Sequence, residues 1–579
     1  MSVPVANRPL SRLAPCLLAA GLCTAWAGAA QAQVVLAPAA PQIGSSNPVS
    51  AEPPVKRPHS QPCVVPLFQN LAFADFNPKA YAYSPPAACP GPWAKVVFTA
   101  DFTVSAGNQF DRTAAFYLGH ANIFYGTTAE PRAALSPSWH VERDLTDLSP
   151  IFATAQTGEA NIGNFVGVYN GVTYDGIIYA NAALEFYPAT PQEPAPPVPD
   201  IVVPVEGSGG DAGTLNTTTD QITQALNLPT NVQGVYLDVI AQSQSNDEFW
   251  YFCVPDDQTA NLESCGNTAF REVEVTIDGT PAGVAPVYPW IFTGGIDPFL
   301  WEPIPGVQTL SFTPYRVDLT PFAGLLGNGA THTVGLSVFN ADSYFLATAN
   351  LLVFTDHGAR KVTGGVLSNS LAAAPTPTVV ENISVDPTGT LYTGSILVTA
   401  QRAFAIRGYV DTSHGRVETT VRQNVDFSSY QTFHVVPSAG VPDIQDAQQL
   451  TTVDAQTTTR EGAEEKTTQR QFRYPLGIAY SFVQNPDGSY SQVTSVTQQD
   501  QESESLSIDG RRVLGSERRN SVKGTDTLHY DANFNFLGNA GARTSQAYLE
   551  RNTRGDCYQR TLVALAQKLV SVDGASDCD

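Results

Sequence analysis

The chain has 579 residues, with 31 Lys and Arg against 54 Asp and Glu, a formal charge of -23, 45 Gly, 43 Pro and one Met. That length holds about three or four domains, each able to bury a core, which excludes a disordered polyacid or a small disulfide-stapled peptide. The acidic balance shows no segregated basic patch, which argues against binding nucleic acid or an anionic membrane surface. High Gly and Pro suit a turn-rich β protein.

Residues 1–32 read as a secretory signal peptide. Arg8 and Arg12 precede an apolar, small-residue run from Leu13 to Ala30, and Ala30-Gln31-Ala32 offers a cleavage site near Ala32. The run is short and Ala/Gly-rich for a membrane anchor, and no later segment approaches eighteen consecutive apolar residues. The mature chain is expected to be secreted or periplasmic, without a membrane anchor. Cys16 and Cys23 leave with the signal. The remaining six cysteines form three sequence-local couples, Cys63 with Cys89, Cys253 with Cys265, and Cys557 with Cys578, and nearest-neighbour disulfides are expected in an oxidising compartment. No couple has CxxC spacing and the eight His form no HxxxH or HExxH pair, so neither a metal nor a cofactor is expected.

Residues 33–60 are Pro-, Ala- and Ser-rich without periodicity and read as a flexible leader. From 61 to 187, short runs of β-branched and aromatic residues broken by Gly, Asn, Asp and Pro (Val96 to Val104, Thr113 to Leu118, Asn122 to Tyr125, Ile177 to Tyr187) predict a first β-sandwich. Residues 188–227 carry Pro191, Pro194, Pro196, Pro197 and Pro199 and then Gly207-Ser208-Gly209-Gly210, a stiff spacer ending in a hinge. A second β-sandwich follows over 228–358, with strands at Gly234 to Ala241, Phe270 to Ile277, Thr309 to Leu319, Thr333 to Val338 and Leu346 to Phe354. The region 359–579 has long alternating stretches rich in Thr, Gln and Ser, and predicts large antiparallel sheets with solvent-exposed outer faces. Thr219 to Leu226 and Tyr558 to Val570 are the best helical segments. The fold class is all-β, two adjacent sandwiches plus a β-rich C-terminal domain.

All five mature tryptophans, Trp93, Trp139, Trp250, Trp290 and Trp301, precede residue 302. A carbohydrate site needs aromatic faces to stack on sugar rings and acid or amide neighbours to bond hydroxyls, whereas a single Trp in a sandwich ordinarily fills the core. Three clusters combine the two features. Asn246-Asp247-Glu248-Phe249-Trp250-Tyr251 sets two carboxylates beside three aromatics; on a strand only one of Asp247 and Glu248 faces a cleft while the other satisfies a turn. Gly294-Gly295-Ile296-Asp297-Pro298-Phe299-Leu300-Trp301-Glu302 is a glycine-started loop with two more acids. Gln109-Phe110-Asp111-Arg112, with Glu130 downstream, is the third; an Asp beside an Arg is otherwise an ordinary ion pair or turn cap. No GxSxG elbow or phosphate-binding Gly loop is present.

In this order the clusters resemble the peptide-N-glycosidase A family, the glycoamidases. The resemblance rests on Phe110-Asp111-Arg112, Thr128-Ala129-Glu130-Pro131 and Trp139 to Asp144 in the first sandwich. In the second it rests on Asn246 to Tyr251, Ala269 to Val273, Thr276 to Gly279, Phe292 to Pro298, Trp301-Glu302-Pro303 and Val317 to Phe322. Phe404 to Gly408 and Cys557 to Arg560 are similar more loosely. The resemblance implies hydrolysis of the amide between asparagine and the innermost N-acetylglucosamine of an N-glycan, converting Asn to Asp and releasing a glycosylamine. It also implies glycopeptide and denatured glycoprotein substrates; no obligatory protein partner is evident in the sequence. A more distant likeness to the flavobacterial peptide-N-glycosidase F implies two jelly rolls and an essential aspartate in a Trp-Asp-Arg tripeptide, which Phe110-Asp111-Arg112 resembles.

The expected roles follow. Asp111 orients and deprotonates water, and Glu248 is the partner acid or a sugar ligand. Arg112 or backbone N–H groups steady the oxyanion. Glu130, Asn246, Asp247, Asp297 and Glu302 are further substrate-binding candidates, and Trp250 and Trp301 stack on the chitobiose. Two alternatives share the scaffold: a non-catalytic glycan-binding protein, and a glycoside hydrolase acting on N-glycans.

Overall fold

The structure, a computed structural model, describes residues 40–437, 443–574 and 578. The expected signal peptide and residues 33–39 of the leader lie outside them. Among the described residues the chain is strand throughout, with only short helical turns.

The first sandwich is built from β1 (Cys63–Phe73), β2 (Lys79–Tyr83), β3 (Trp93–Val104), β4 (Thr113–Leu118), β5 (Ala121–Thr127), β6 (Ser138–Asp144) and β7 (Gln156–Ile162). A small hairpin, β8 (Gly167–Tyr169) and β9 (Val172–Tyr174), follows, and β10 (Ile178–Pro188) closes the domain. The two facing sheets run β1-β10-β3-β6 and β2-β7-β4-β5, all antiparallel. This is the order in which a jelly roll winds two Greek keys. Phe98, Phe102, Phe116 and Phe124 pack face and edge between the sheets.

The second sandwich repeats the scheme with β11 (Ile201–Val205), β12 (Gly213–Thr217), β13 (Ile222–Leu226), β14 (Val232–Ser243), β15 (Glu272–Ile277), β16 (Thr280–Pro286), β17 (Tyr315–Asp318), β18 (His332–Phe339) and β19 (Asp342–Thr355). Its sheets run β11-β19-β14-β17 and β13-β18-β15-β16, with β12 also on β19. The presumed linker therefore supplies three strands. Thr219 to Leu226 is no helix: so short a helix is marginal alone, whereas pairing with β18 satisfies the backbone of Ile222 through Leu226.

The C-terminal region is one eleven-stranded sheet rather than several, from β20 (Thr363–Asn369) and β21 (Thr378–Val385) through β22 (Tyr392–Thr412), β23 (Gly415–Val435), β24 (Ile444–Glu461), β25 (Glu464–Gln484), β26 (Tyr490–Ile508), β27 (Arg511–Tyr530), β28 (Phe536–Asn552), β29 (Cys557–Leu565) and β30 (Lys568–Asp573). β22, β23 and β25 have 21 residues each, about 70 Å at the ordinary strand rise. The expected helix at Tyr558 to Val570 is the β29–β30 hairpin; its turn residues Ala566 and Gln567 both take positive φ without the Asn-Gly signal that marks such a turn in sequence.

One face of this sheet shares a continuous core with the second sandwich. Phe427 meets Phe270, and Tyr474 meets Tyr288 edge to face. Gly408 of β22 lies where a Cβ would strike the Pro321 carbonyl, so only glycine lets the strand approach so closely. Inward glutamines serve the second sandwich's irregular backbone. Gln498 donates to the Pro289 carbonyl (2.7 Å) and accepts from Val307 N–H (2.8 Å), while Gln431 and Gln492 donate to the Cys253 and Ile296 carbonyls.

The leader is pinned rather than flexible from residue 40 onward. Gly44 and Ser45 exchange backbone bonds with Leu569, and Val49 N–H donates to the Pro303 carbonyl. Fully buried Ala51 donates to Gln546, and Arg57 pairs with Glu142 and Glu185. The segment thereby straps all three domains together. The three expected disulfides are all present, Cys63–Cys89, Cys253–Cys265 and Cys557–Cys578.

Candidate active site

β5 is an edge strand of the first sandwich, and an exposed strand edge seeks cover. Residues 309–312 of the second sandwich provide it: Thr127 N–H donates to the Thr309 carbonyl (3.0 Å) and Phe312 N–H to the Tyr125 carbonyl (2.8 Å). β4 and β5 are paired with Thr113 opposite Thr127, so the residue pairs flanking them, Asp111-Arg112 and Thr128 to Glu130, emerge together at the domain boundary. Thr113 also bonds Gln242 and Gln244 at the end of β14, which brings the following turn, Ser245 to Glu248, to the same place.

Asp111 Oδ2 accepts the Gly294 N–H at 2.8 Å and the Thr293 hydroxyl at 3.4 Å, both from the second sandwich. Its own N–H donates to Glu130 Oε2 at 3.0 Å, and Glu130 N–H donates back across the boundary to Thr293 Oγ1 at 2.9 Å. A Cβ on Gly294 would meet the Glu130 carboxylate, which would have to swing aside from the Asp111 N–H. Asp111 Oδ1 and the Glu248 carboxylate have no hydrogen-bond partner among the described residues.

Three carboxyls thus meet beside Arg112. Burial raises Asp111 above its ordinary pKa, but the Gly294 N–H, the Arg112 charge and the Thr293 hydroxyl all favour its ionised form. Glu130 is pushed up to about 7 by burial and then by the Asp111 charge. Glu248 is also pushed up to about 7, by burial and again by Asp111. Asp111 therefore ionises first, and its charge keeps protons on its neighbours. This is the division of labour that acid–base chemistry at one centre requires.

Other expected residues stand elsewhere. Asp247 is fully buried; its Oδ1 accepts from Arg271 Nε at 2.9 Å and its Oδ2 from the Asp342 N–H at 2.6 Å. It fixes the turn while Glu248 faces the boundary, the alternation anticipated for a strand but produced by a 3-10 turn. Asn246 is exposed. Glu302 is held in a bidentate pair with Arg132 across the boundary and is occupied structurally. Asp297 is buried, caps a turn through Phe299 N–H and faces Asp526 of the C-terminal sheet rather than Asp111.

Trp250 and Trp301 are 1% and 3% exposed, so neither ring is free to stack on sugar. The largest apolar side chains gain most from burial and are spent on the core. Trp301 Nε1 does donate to the Gly295 carbonyl at 2.8 Å, which steadies the loop that reaches Asp111. The aromatic surface near Asp111 is instead Phe110, 44% exposed, packed on Tyr174 of β9, with Arg112 over its ring. Asn164, fully buried, donates to the Phe73 and Gly176 carbonyls and accepts from Arg112 Nε at 3.4 Å. Asn164 was not singled out in the sequence, and Thr293 and Gly294 were read only as part of a motif and its glycine-started loop, not as partners of Asp111. Gly294-Gly295 was the one signal, since a Gly pair marks a close approach, though not to which partner.

A cavity of about 2220 Å3 lies between the three domains along the strap and is lined by Arg57, His140, Arg316 and Tyr548; Asp111, Glu130 and Glu248 do not line it.

Against known proteins, residues 48–371 match the family model described as peptide N-acetyl-beta-D-glucosaminyl asparaginase amidase A. The chain is 30% identical over 397 residues to the peptide-N4-(N-acetyl-beta-glucosaminyl)asparagine amidase A of Prunus dulcis, a match covering 65% of this chain and 67% of that protein. Among solved structures it is similar to PNGF-II, at 13% identity and a TM-score of 0.36 over 51% of this chain and 66%, just under two thirds, of that one. It is also similar to PNGase F of Flavobacterium meningosepticum, at 12% identity and a TM-score of 0.34 over 51% of this chain and 96% of that one.

Proposed function

The chain belongs to the peptide N-acetyl-beta-D-glucosaminyl asparaginase amidase A family, and from that premise we propose that it hydrolyses the asparagine–N-acetylglucosamine amide of N-glycopeptides with Asp111 as base and Glu248 as acid. The carrying observation is the meeting of Asp111 with Glu130 and Glu248 at a boundary where Asp111 receives the Gly294 N–H and the Thr293 hydroxyl, while Glu248 receives no donor among the described residues and is raised by burial and by the Asp111 charge.

In this reading Asp111 Oδ1 takes a proton from water as the water oxygen adds to the amide carbonyl carbon. The negative charge on the carbonyl oxygen is met by Arg112 or a nearby backbone N–H. Collapse breaks the C–N bond, Glu248 gives its proton to the departing nitrogen, and the products are an aspartate side chain and a glycosylamine. Proton transfer from Asp111 to Glu248 restores the starting state. Glu130 holds the Asp111 backbone and, pushed up to about 7, keeps its proton below that pH, where it adds no second charge beside the base.

Export through the segment at residues 1–32 is part of the same proposal. Its support is the Arg8 and Arg12 pair before an apolar run, and three disulfides that persist only in an oxidising compartment. N-terminal sequencing of the protein recovered outside the cytoplasm is expected to begin near Gln33; an intact Met1 terminus would contradict export.

Incubation with one N-glycopeptide, followed by weighing the peptide, tests the reaction. A bare peptide carrying Asp in place of Asn is expected. A peptide retaining N-acetylglucosamine would make the protein a glycosidase, and an unchanged glycopeptide a binder.

A further inference from the structure

The C-terminal sheet carries an aromatic group that nothing in the amidase reaction uses. At the end where the β25–β26 and β27–β28 hairpins turn, Phe482, Tyr490 and Phe534 stack nearly parallel. The Tyr490 and Phe534 centroids are 4.5 Å apart at 22°, and Phe482 lies at 12° to 13° to both rings. Tyr530 and Phe536 continue the group, and Phe299 of the second sandwich stacks on Phe536 at 5.3 Å and 22°. Phe534 and Phe536 are 51% and 47% exposed.

Two features set this group apart from a stray surface cluster. Phe534 holds a φ of +63°, a left-handed conformation that bulky side chains avoid, and the turn is fixed by Asp531 Oδ1, which accepts from the Asn533 and Asn535 N–H groups. The backbone is thus bent to present an exposed ring. Beside it, buried Asp297 leaves Oδ2 without a hydrogen-bond partner, close enough to Asp526 and the Tyr530 hydroxyl for their charges to interact. Asn539 donates to Asp526 Oδ2 at 2.7 Å, and Asn533 and Asn535 are exposed on the turn.

Open ring faces bordered by amides and carboxylates are what a sugar needs, one for its C–H face and the other for its hydroxyls. A peptide captured by strand addition needs a free strand edge, and β25 to β28 are all interior strands. Asp487, Asp526 and Asp531 beside the rings disfavour an acidic ligand. The platform is also within reach of the candidate site: Gly294, which bonds Asp111, lies five residues before Phe299, and five residues span at most about 18 Å.

We propose that this platform is a second carbohydrate subsite, which holds a neutral outer arm of the N-glycan while the amide lies at Asp111. The proposal rests on the amidase reading for its substrate, and its test separates the two. Phe534→Asn suits the left-handed backbone and Phe536→Ser removes the second ring; both sites are exposed, so the doubly substituted full-length protein is expected to keep its unfolding midpoint.

Two glycopeptides are compared, one with an extended neutral glycan and one trimmed to two N-acetylglucosamines, and the free extended oligosaccharide is titrated calorimetrically. The variant is expected to lose about tenfold in kcat/KM on the extended substrate through KM, to match the natural protein on the trimmed one, and to lose binding of the free oligosaccharide. Equal kinetics on both substrates, or unchanged oligosaccharide binding, would overturn the platform. If the natural protein releases glycan from neither substrate, the amidase reading fails, and the calorimetry still decides the platform by itself.

Discussion

Gly294 of the second sandwich donates its backbone N–H to Asp111 Oδ2 of the first at 2.8 Å, and this one bond carries the domain boundary into the candidate chemistry. A Cβ at Gly294 would push against the Glu130 carboxylate that holds the Asp111 N–H. Gly294→Ala is therefore expected to shift Asp111 and Glu130 without unfolding either sandwich. A displacement of that kind costs about a hundredfold in kcat/KM. Steady-state kinetics beside an unfolding curve checks it.

The protonation pattern fixes the alkaline side of the pH profile. Glu248, pushed up to about 7, works in its protonated form, so kcat/KM is expected to fall as the pH rises through about 7. The same shift weakens the fold. A carboxyl raised above its ordinary 4.5 leaves the native state holding a proton that the unfolded state has lost, so stability falls between 4.5 and about 7 and stays lower above. Glu248→Gln is expected to abolish turnover yet raise stability at pH 8 by ~2 kcal/mol, with little effect at pH 4. Denaturant titrations at the two pH values measure the difference.

The Gln-rich stretch makes its own prediction. Gln498 satisfies two backbone groups of the second sandwich, Pro289 C=O and Val307 N–H. Gln498→Leu fills the same space and leaves both groups buried without partners, at about 1–3 kcal/mol each. A drop of several degrees in Tm is expected, measurable by calorimetry; a variant as stable as the natural protein would show the glutamines to be passive filler.

The strap's anchor also responds to pH. Although burial opposes it, His140 and Arg57 hold Glu142 down to about 2. Against its own burial, His140 is held up at about 8 by Asp101 and Glu142. The Glu142 contribution is present above 4.5 and lost as pH falls through about 2. The His140 contribution is complete below 6.5 and lost as pH rises through about 8. The anchor is thus strongest between about 4.5 and 6.5. Arg57→Ala leaves fully buried Glu185 without its cation, an uncompensated charge costing about 3–5 kcal/mol. Limited proteolysis within residues 40–60 is expected to quicken in that variant, and in the natural protein above pH 8.

The all-β fold and the disulfide pairs were legible in the sequence because they leave local signals: alternation, turn residues and cysteine spacing. Asp111 and Glu248 were legible as candidates through the residues around them. Their pairing across the two sandwiches was expected, but the contact that brings it about was not legible, since it depends on β5 needing cover for its free edge and on residues 309–312 supplying it. Trp250 and Trp301 misled because an aromatic beside an acid reads alike in a cleft and in a core. The leader was read as flexible because its partners, Glu142, Glu185, Gln546 and Leu569, are scattered along the chain. The exposed platform at Phe534 escaped notice, its rings being far apart in sequence.

Asp111→Asn is the most direct test of the account. The amide keeps the shape and can still accept the Gly294 N–H, but it cannot take a proton from water. With the variant shown to be folded, release of glycan from an N-glycopeptide under single-turnover conditions is expected to slow by about 10²–10⁴-fold. Release at the natural rate would remove Asp111 from the chemistry and with it the reading of the domain boundary as the active site.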